Sequence, residues 1–269
     1  MYAAVCASSF RRYATYRAAT WARVVTNTVF GFIIAYTYQA LWQVRPHLGG
    51  YDLSAALTYV WIGQAMFAFI AIGGQGALED LQTRIANGDV AVDLFRPVDL
   101  QAWWLSVDLG RAGYQLLANG IVPMLTGALC FHLRLPQGGV AAAAGAWAAF
   151  ALALVLAAVV SFAMRYLVAL TAFWLLDVRG VQMIYYLTCS FFGGFFLPIT
   201  LFPPLLEGLA RVLPFVAVFQ VPADVFLQRY DAAGMLAALG VQLAWAVVLL
   251  GAGRLVQGRA VLKVVVQGG

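Results

Sequence analysis

Charge is what this sequence has least of. Only 10% of its 269 residues are Asp, Glu, Lys or Arg, whereas a soluble globular domain carries about a quarter to cover its surface with water-facing groups. With 64% hydrophobic residues and a mean hydropathy of +0.86, the outer surface has to face lipid, and an ordinary soluble fold is excluded. Lysine is reduced to Lys263. A phosphate-binding loop of the form GxxxxGK[ST] is therefore missing, and the chain cannot itself be a P-loop ATPase. Histidine is nearly as scarce, with only His47 and His132, both in expected loops. No HExxH pair or GxSxG elbow is present, so no catalytic residue and no metal site is expected, and the chain reads as something other than an enzyme. The three cysteines, Cys6, Cys130 and Cys189, are too few and too scattered for a disulfide framework.

What charge there is has a positive balance, +5, with a pI near 9.3. The basic residues stand in ones and twos and form no dense patch with interleaved aromatics, which argues against nucleic acid. They read instead as topology signals.

A helix needs about 20 apolar residues to cross the hydrocarbon core. Uncharged or nearly uncharged stretches of that length lie at 24–44, 55–77, 103–131, 181–201 and 232–253. A further stretch, 140–176, is interrupted by Arg165 and is longer than a membrane is thick. It is read as a span ending near Arg165, continued by an apolar helix along the interface. The expected fold is therefore an all-α membrane protein of six transmembrane helices, one domain over 1–269. With both termini in the cytoplasm, Arg11, Arg12, Arg17, Arg23, Arg84, Arg96, Arg179, Arg254, Arg259 and Lys263 lie inside. Only Arg45, Arg134, Arg211 and Arg229 lie outside. A seventh crossing would move the basic tail outside, against the positive-inside rule.

Two segments outside the spans have their own pattern. Phe10, Tyr13, Ala14 and Trp21 share a helical face with arginines around the other side, which predicts an interfacial helix over 1–23. A retained first span fits after it more naturally than a cleaved signal peptide. Between the fifth and sixth spans, Pro214 and Pro222 cut 203–230 into pieces too short to cross. The first piece is amphipathic, with Glu207 and Arg211 four apart, and a re-entrant or interfacial outer hairpin is expected.

Inside the spans, Asp108 and Arg111 stand three apart on one helix face and are expected to pair as a structural ion pair near the interface. Aromatic and amide side chains recur on otherwise apolar helices: Asn27 and Tyr38 in the first span, Trp61, Gln64 and Phe67 in the second, and Gln182, Tyr185 and Tyr186 in the fifth. Such faces suit a lipophilic cation, held by ring faces and amide oxygens, and these eight are the candidate substrate path. Interfacial belting and hydrogen bonding between helices would explain the same residues without a ligand.

The longest internal cytoplasmic segment, 78–104, reads LEDLQTRIANGDVAVDLFRPVDLQAWW. A short helix over 78–86 should stop at Asn87 and Gly88, and Pro97 should end the next helical piece. Its mixed charges suit a soluble partner.

With the basic aromatic start RRYATYR, the pattern RIANGDVAVDLFRPVD and the long run from Asp177 to Leu227, the chain resembles the type-2 ATP-binding-cassette exporter permeases, in their multidrug or viologen export branch. The resemblance implies a six-helix half-transporter in a bacterial plasma membrane. It implies as partners a second permease chain, related but different, and two ATP-binding-cassette ATPase subunits carrying ATP and Mg. This chain would bind no cofactor itself. The segment 78–99 maps to the coupling segment that docks on the ATPase, with Phe95 as its apolar anchor and Arg84, Asp93 and Arg96 as orienting charges. The cargo would be a small hydrophobic or cationic drug or toxin. The alternatives are a glycan or lipid exporter permease of the same family, a proton-coupled antiporter, and a non-transporting assembly or anchoring protein.

Overall fold

In lipid a backbone can satisfy its N–H and C=O groups only within helices or closed barrels. The computed structural model of the chain takes the first course and has no strand among the described residues. Those residues are 1–73, 76–175 and 177–267. Positions 74–75, in the expected second span, and 176, at the end of the long fourth stretch, lie outside them.

In chain order the helices are α1 (Tyr2–Thr15), α2 (Arg17–Val44), α3 (Leu53–Ile70), α4 (Ala77–Ala86), α5 (Val90–Leu94), α6 (Leu100–Gln115), α7 (Ile121–Cys130), α8 (Val140–Leu170), α9 (Arg179–Phe192), α10 (Pro204–Val212), α11 (Gln220–Phe226) and α12 (Ala232–Gln267). Among the described residues, four are long and apolar enough to cross a membrane by themselves: α2, α3, α8 with its 3-10 extension to Phe173, and α12. They differ in what they face. In its most apolar window α3 is 78% buried by the chain's own fold, against 22% for α2 and 17% for α12. So α3 is the centre of the bundle, while α2 and α12 offer most of their surface to lipid or to another chain.

The centre is organised around Trp61 of α3, which is 0% exposed. Its ring lies against Gly31 of α2 and Gly127 of α7, and a Cβ at either position would run into the indole. Phe32 meets the same ring edge-on at 5.4 Å. At its start, α3 is capped by Asp52, whose carboxylate accepts from the Ala55 amide at 2.7 Å.

Three expected elements come out differently. The stretch 103–131 is one continuous helical path, but a π-turn over Leu116–Gly120 joins α6 to α7. Pro123 accounts for it: the residue has no N–H for the Asn119 carbonyl and its ring crowds that carbonyl, so the helix widens just before it. The stretch 181–201 is not a single helix. Its helical part, α9, ends at Phe192, because the chain turns sharply at Gly193 and Gly194. Gly194 has φ +86°, and a Cβ there would meet the Tyr59 hydroxyl and the Gln220 side chain. The stretch beginning at 140 does not end near Arg165 and turn along an interface; α8 runs unbroken through it to Leu170. An arginine ends a span when it must reach water, and Arg165 does not, because Asp108 meets it inside the protein.

At the start of the chain the helix breaks at Tyr16, so Trp21 belongs to α2 rather than to the helix carrying Phe10 and Tyr13. α1 lies along α6. The Ser9 hydroxyl donates to the Val107 carbonyl at 2.6 Å, Phe10 packs edge-on against Tyr114, and Gly110 lets the Cys6 backbone come close.

At the opposite end of the bundle from α4 and α5, α10 is an exposed amphipathic helix whose Glu207 and Arg211 pair at 2.7 Å. α11 is short and entirely buried, packed on α8. Pro222 is tolerated there because it sits in the first turn, where helix amides have no intrahelical acceptor. Gln220 and Asp224 of α11 tie this end together. The Tyr51 hydroxyl donates to Asp224 at 2.7 Å, and the Gln220 amide donates to Tyr51 and Asp224 at 2.9 and 2.8 Å. Arg229 lies 3.7 Å over the Tyr51 ring and donates to the Gly49 and Gly50 carbonyls. No local pattern marks this polar hub, whose members come from segments about 170 residues apart.

Candidate functional site

A concavity of about 780 Å³ opens between α2, the C-terminal end of α3, α4 and the first turns of α9. Of the eight side chains expected along a substrate path, Asn27, Phe67, Gln182 and Tyr186 line it. The other four are placed elsewhere. Trp61 fills the bundle centre. Tyr38 is buried, stacked on Trp42 at 5.0 Å. Gln64 is buried, with its backbone carbonyl accepting from the Asn27 amide at 3.0 Å. Tyr185 lines a narrow cleft of about 30 Å³ with Arg165 and Gln182, and its hydroxyl has no partner among the described residues. Arg23, Glu79 and Arg179 supply the charges of the large cavity, and none of the three stands out in the sequence as a path residue.

At the C-terminal end of α3, which contributes Phe67 and Ala68 to the cavity wall, lies a buried charge network. The Asp108 carboxylate of α6 pairs with Arg111 at 2.8 Å, as the spacing predicts, and with Arg165 of α8 at 2.6 Å, which it does not. The remaining Arg111 nitrogens donate to the Ala68 and Phe69 carbonyls, each at 2.8 Å. The Ser161 hydroxyl donates to the Ile70 carbonyl at 2.6 Å. Those three carbonyls end α3, where a helix leaves its last acceptors unsatisfied. Side chains of α6 and α8 thus cap α3 in place of water, and Ala71 then turns the chain with φ 51° toward α4.

The segment from α4 to the start of α6 is held as a rigid piece. Ala77, Leu78, Leu81 and Ile85 form the buried face of α4, in one cluster with Trp104, Phe162, Tyr166 and Leu170. Gly88, at φ 81°, makes the turn into α5. Arg84 grips Asp93 with two hydrogen bonds, 2.5 and 3.0 Å, and that carboxylate raises the guanidinium's pKa further above its usual value. Arg96 approaches the same carboxylate at 3.4 Å. Two of the expected orienting charges, Arg84 and Asp93, are therefore spent on each other. Phe95 is the opposite case, 89% exposed with its ring presented outward.

Cavity and segment are joined. The Gln182 amide of α9 donates to the Gln82 side chain of α4 at 2.5 Å, Glu79 of α4 lines the cavity, and Arg12 of α1 pairs with Asp80 at 3.0 Å. A shift of α4 cannot leave the cavity wall unchanged.

Comparison with known proteins adds one match. The family model described as ABC-2 family transporter protein covers residues 24–268. No curated protein and no solved structure matches the chain.

Proposed function

Because the chain belongs to the ABC-2 transporter family, a family of membrane transport components that work with an ATP-binding-cassette partner, we propose that it is the permease half of an ATP-driven exporter of small hydrophobic or cationic compounds. The observation that carries this reading is the Gln82 to Gln182 bridge, which ties the exposed segment bearing Phe95 to the wall of a cavity large enough for a drug-sized molecule. A permease that binds no nucleotide can use ATP only through mechanical contact, and a rigid segment packed on α6 and α8 transmits such contact.

In this reading the bundle crosses a bacterial plasma membrane six times. The α6–α7 path and α9 with its following turn join the four long helices as spans, and α10 and α11 form a re-entrant outer hairpin. Both termini, α4 and α5 face the cytoplasm. The outward faces of α2 and α12 leave room for a second permease chain, related but different, with one ATPase subunit beneath each half.

The test is ATP-dependent uptake of a fluorescent lipophilic cation into inside-out vesicles holding this chain, a second permease and the ATPase. Uptake that survives a protonophore and stops without ATP supports the proposal. Uptake that follows the proton gradient replaces it with an antiporter.

A further inference from the structure

Glu79 is the one acidic side chain among the described residues that line the large cavity, and its carboxylate has no hydrogen-bond or ion-pair partner among them. The arginines around it are engaged: Arg165 of α8 by Asp108 of α6, and Arg179 of α9 by Asp177 at 3.0 Å. The exception is Arg23 of α2, which also lines the cavity but makes no ion pair with Glu79. Phe67, stacked on Phe195 at 5.1 Å, and Tyr186 add aromatic surface. Gln182, whose amide nitrogen is given to Gln82, keeps its carbonyl oxygen as an acceptor. Glu79 and Gln182 also border the narrow cleft that holds Tyr185 and Arg165.

A lone carboxylate, an amide oxygen and ring faces around one cavity are the groups that recognise an onium ion. We infer that Glu79 is the counter-ion for an ammonium or phosphonium group on an amphiphilic ligand, so that the ligand's charge is read by α4 itself. The inference rests on the reading of this cavity as the inner end of the export path. Arg23 on the α2 side decides between two sources of that charge. A simple lipophilic cation uses Glu79 alone, whereas a zwitterionic headgroup places its phosphate near Arg23.

Glu79 stays exposed to the open cavity; partial desolvation there, with Asp80 alongside, raises its carboxyl above the usual pKa, and Arg165 opposes that. Recognition needs the ionised form, so onium binding holds above that pKa and weakens as pH falls through it. The other charges facing Glu79 are Arg23, Asp80, Arg165, and Arg179 with Asp177.

The experiment is equilibrium binding of tetraphenylphosphonium to the full chain in lipid nanodiscs, with no ATPase present. Its failure is thereby separated from failure of ATP-driven export. Glu79→Gln should weaken binding about tenfold and abolish its pH dependence, and Glu79→Asp should restore most of the affinity. Binding of tetraphenylborate, the anion of the same shape, corrected for empty nanodiscs, should be no weaker in Glu79→Gln, and an unchanged thermal unfolding midpoint shows that the variant is folded. Competition by dodecyltrimethylammonium and dodecylphosphocholine identifies the source, since Arg23→Gln weakens only the second if a zwitterion is preferred. Equal tetraphenylphosphonium affinity in the chain and in Glu79→Gln overturns the inference. So does tighter binding of tetraphenylborate than of tetraphenylphosphonium to the unaltered chain once uptake by empty nanodiscs is subtracted.

Discussion

The carboxylate of Asp108 and the guanidinium of Arg165 meet at 2.6 Å between α6 and α8, both inside the protein. Arg111 shares the same carboxylate and caps the end of α3. The junction where the central helix leaves for α4 is therefore fixed by one acid held between two bases. Counting charges gives an order of damage. Asp108→Asn leaves two buried arginines with no acid and should cost about 3–5 kcal/mol, the range for breaking a buried pair. Arg165→Met leaves Asp108 and Arg111 as a balanced pair and should cost less than half as much. Thermal unfolding of the detergent-purified variants gives the order; an Arg165→Met loss as large as that of Asp108→Asn would show that the second arginine is not surplus.

The four aromatic and amide residues at the cavity and the four packed elsewhere should separate in mutagenesis. Trp61→Ala empties the bundle centre and should cost about 3–5 kcal/mol, seen as loss of folded protein. Phe67→Ala and Tyr186→Ala should leave the yield of folded protein within twofold and change which compounds are transported. Transport assays at matched expression distinguish the two groups, and an unaltered profile in both cavity variants would assign those rings to packing.

Phe95 is free and Arg84 is engaged, so their substitutions should differ in kind. Phe95→Asp removes an exposed apolar ring without touching the fold, and in the reconstituted complex it should abolish substrate-stimulated ATP hydrolysis while cargo binding stays within twofold. Arg84→Ala leaves Asp93 with only the longer contact to Arg96 at 3.4 Å and should lower stability by about 1.5–3 kcal/mol, the range for a hydrogen bond to a charged group. Normal stimulation in Phe95→Asp would move the docking surface toward Asp177 and Arg179.

The native cysteines report the proposed topology without added labels. Cys130 is exposed at the end of α7, Cys6 is partly covered on α1, and Cys189 is buried. A membrane-impermeant maleimide applied to intact cells should label Cys130 and spare Cys6 and Cys189. Reaction at Cys6 in intact cells would invert the orientation.

Much of the local structure is legible in the sequence. Hydrophobic length marks the four long helices, the Asn87-Gly88 pair and Pro97 bound α4 and α5, and the three- and four-residue spacings pair Asp108 with Arg111 and Glu207 with Arg211. Each of these depends on neighbours within a turn or two, so chain order determines it. The break of α9 at Gly193 and Gly194 is not legible, because an apolar run carries no record of which glycine must adopt a positive φ. That requirement comes from the Tyr59 hydroxyl and Gln220 on other elements. Arg165 reads as the end of a span for the same kind of reason: its partner lies 57 residues away on α6, and only packing of α8 against α6 brings them together. The same holds for Glu79, which in sequence is one charge in a mixed run. Whether a carboxylate is solvated, paired or left facing a cavity depends on what three other helices place around it, and that is settled by tertiary packing alone.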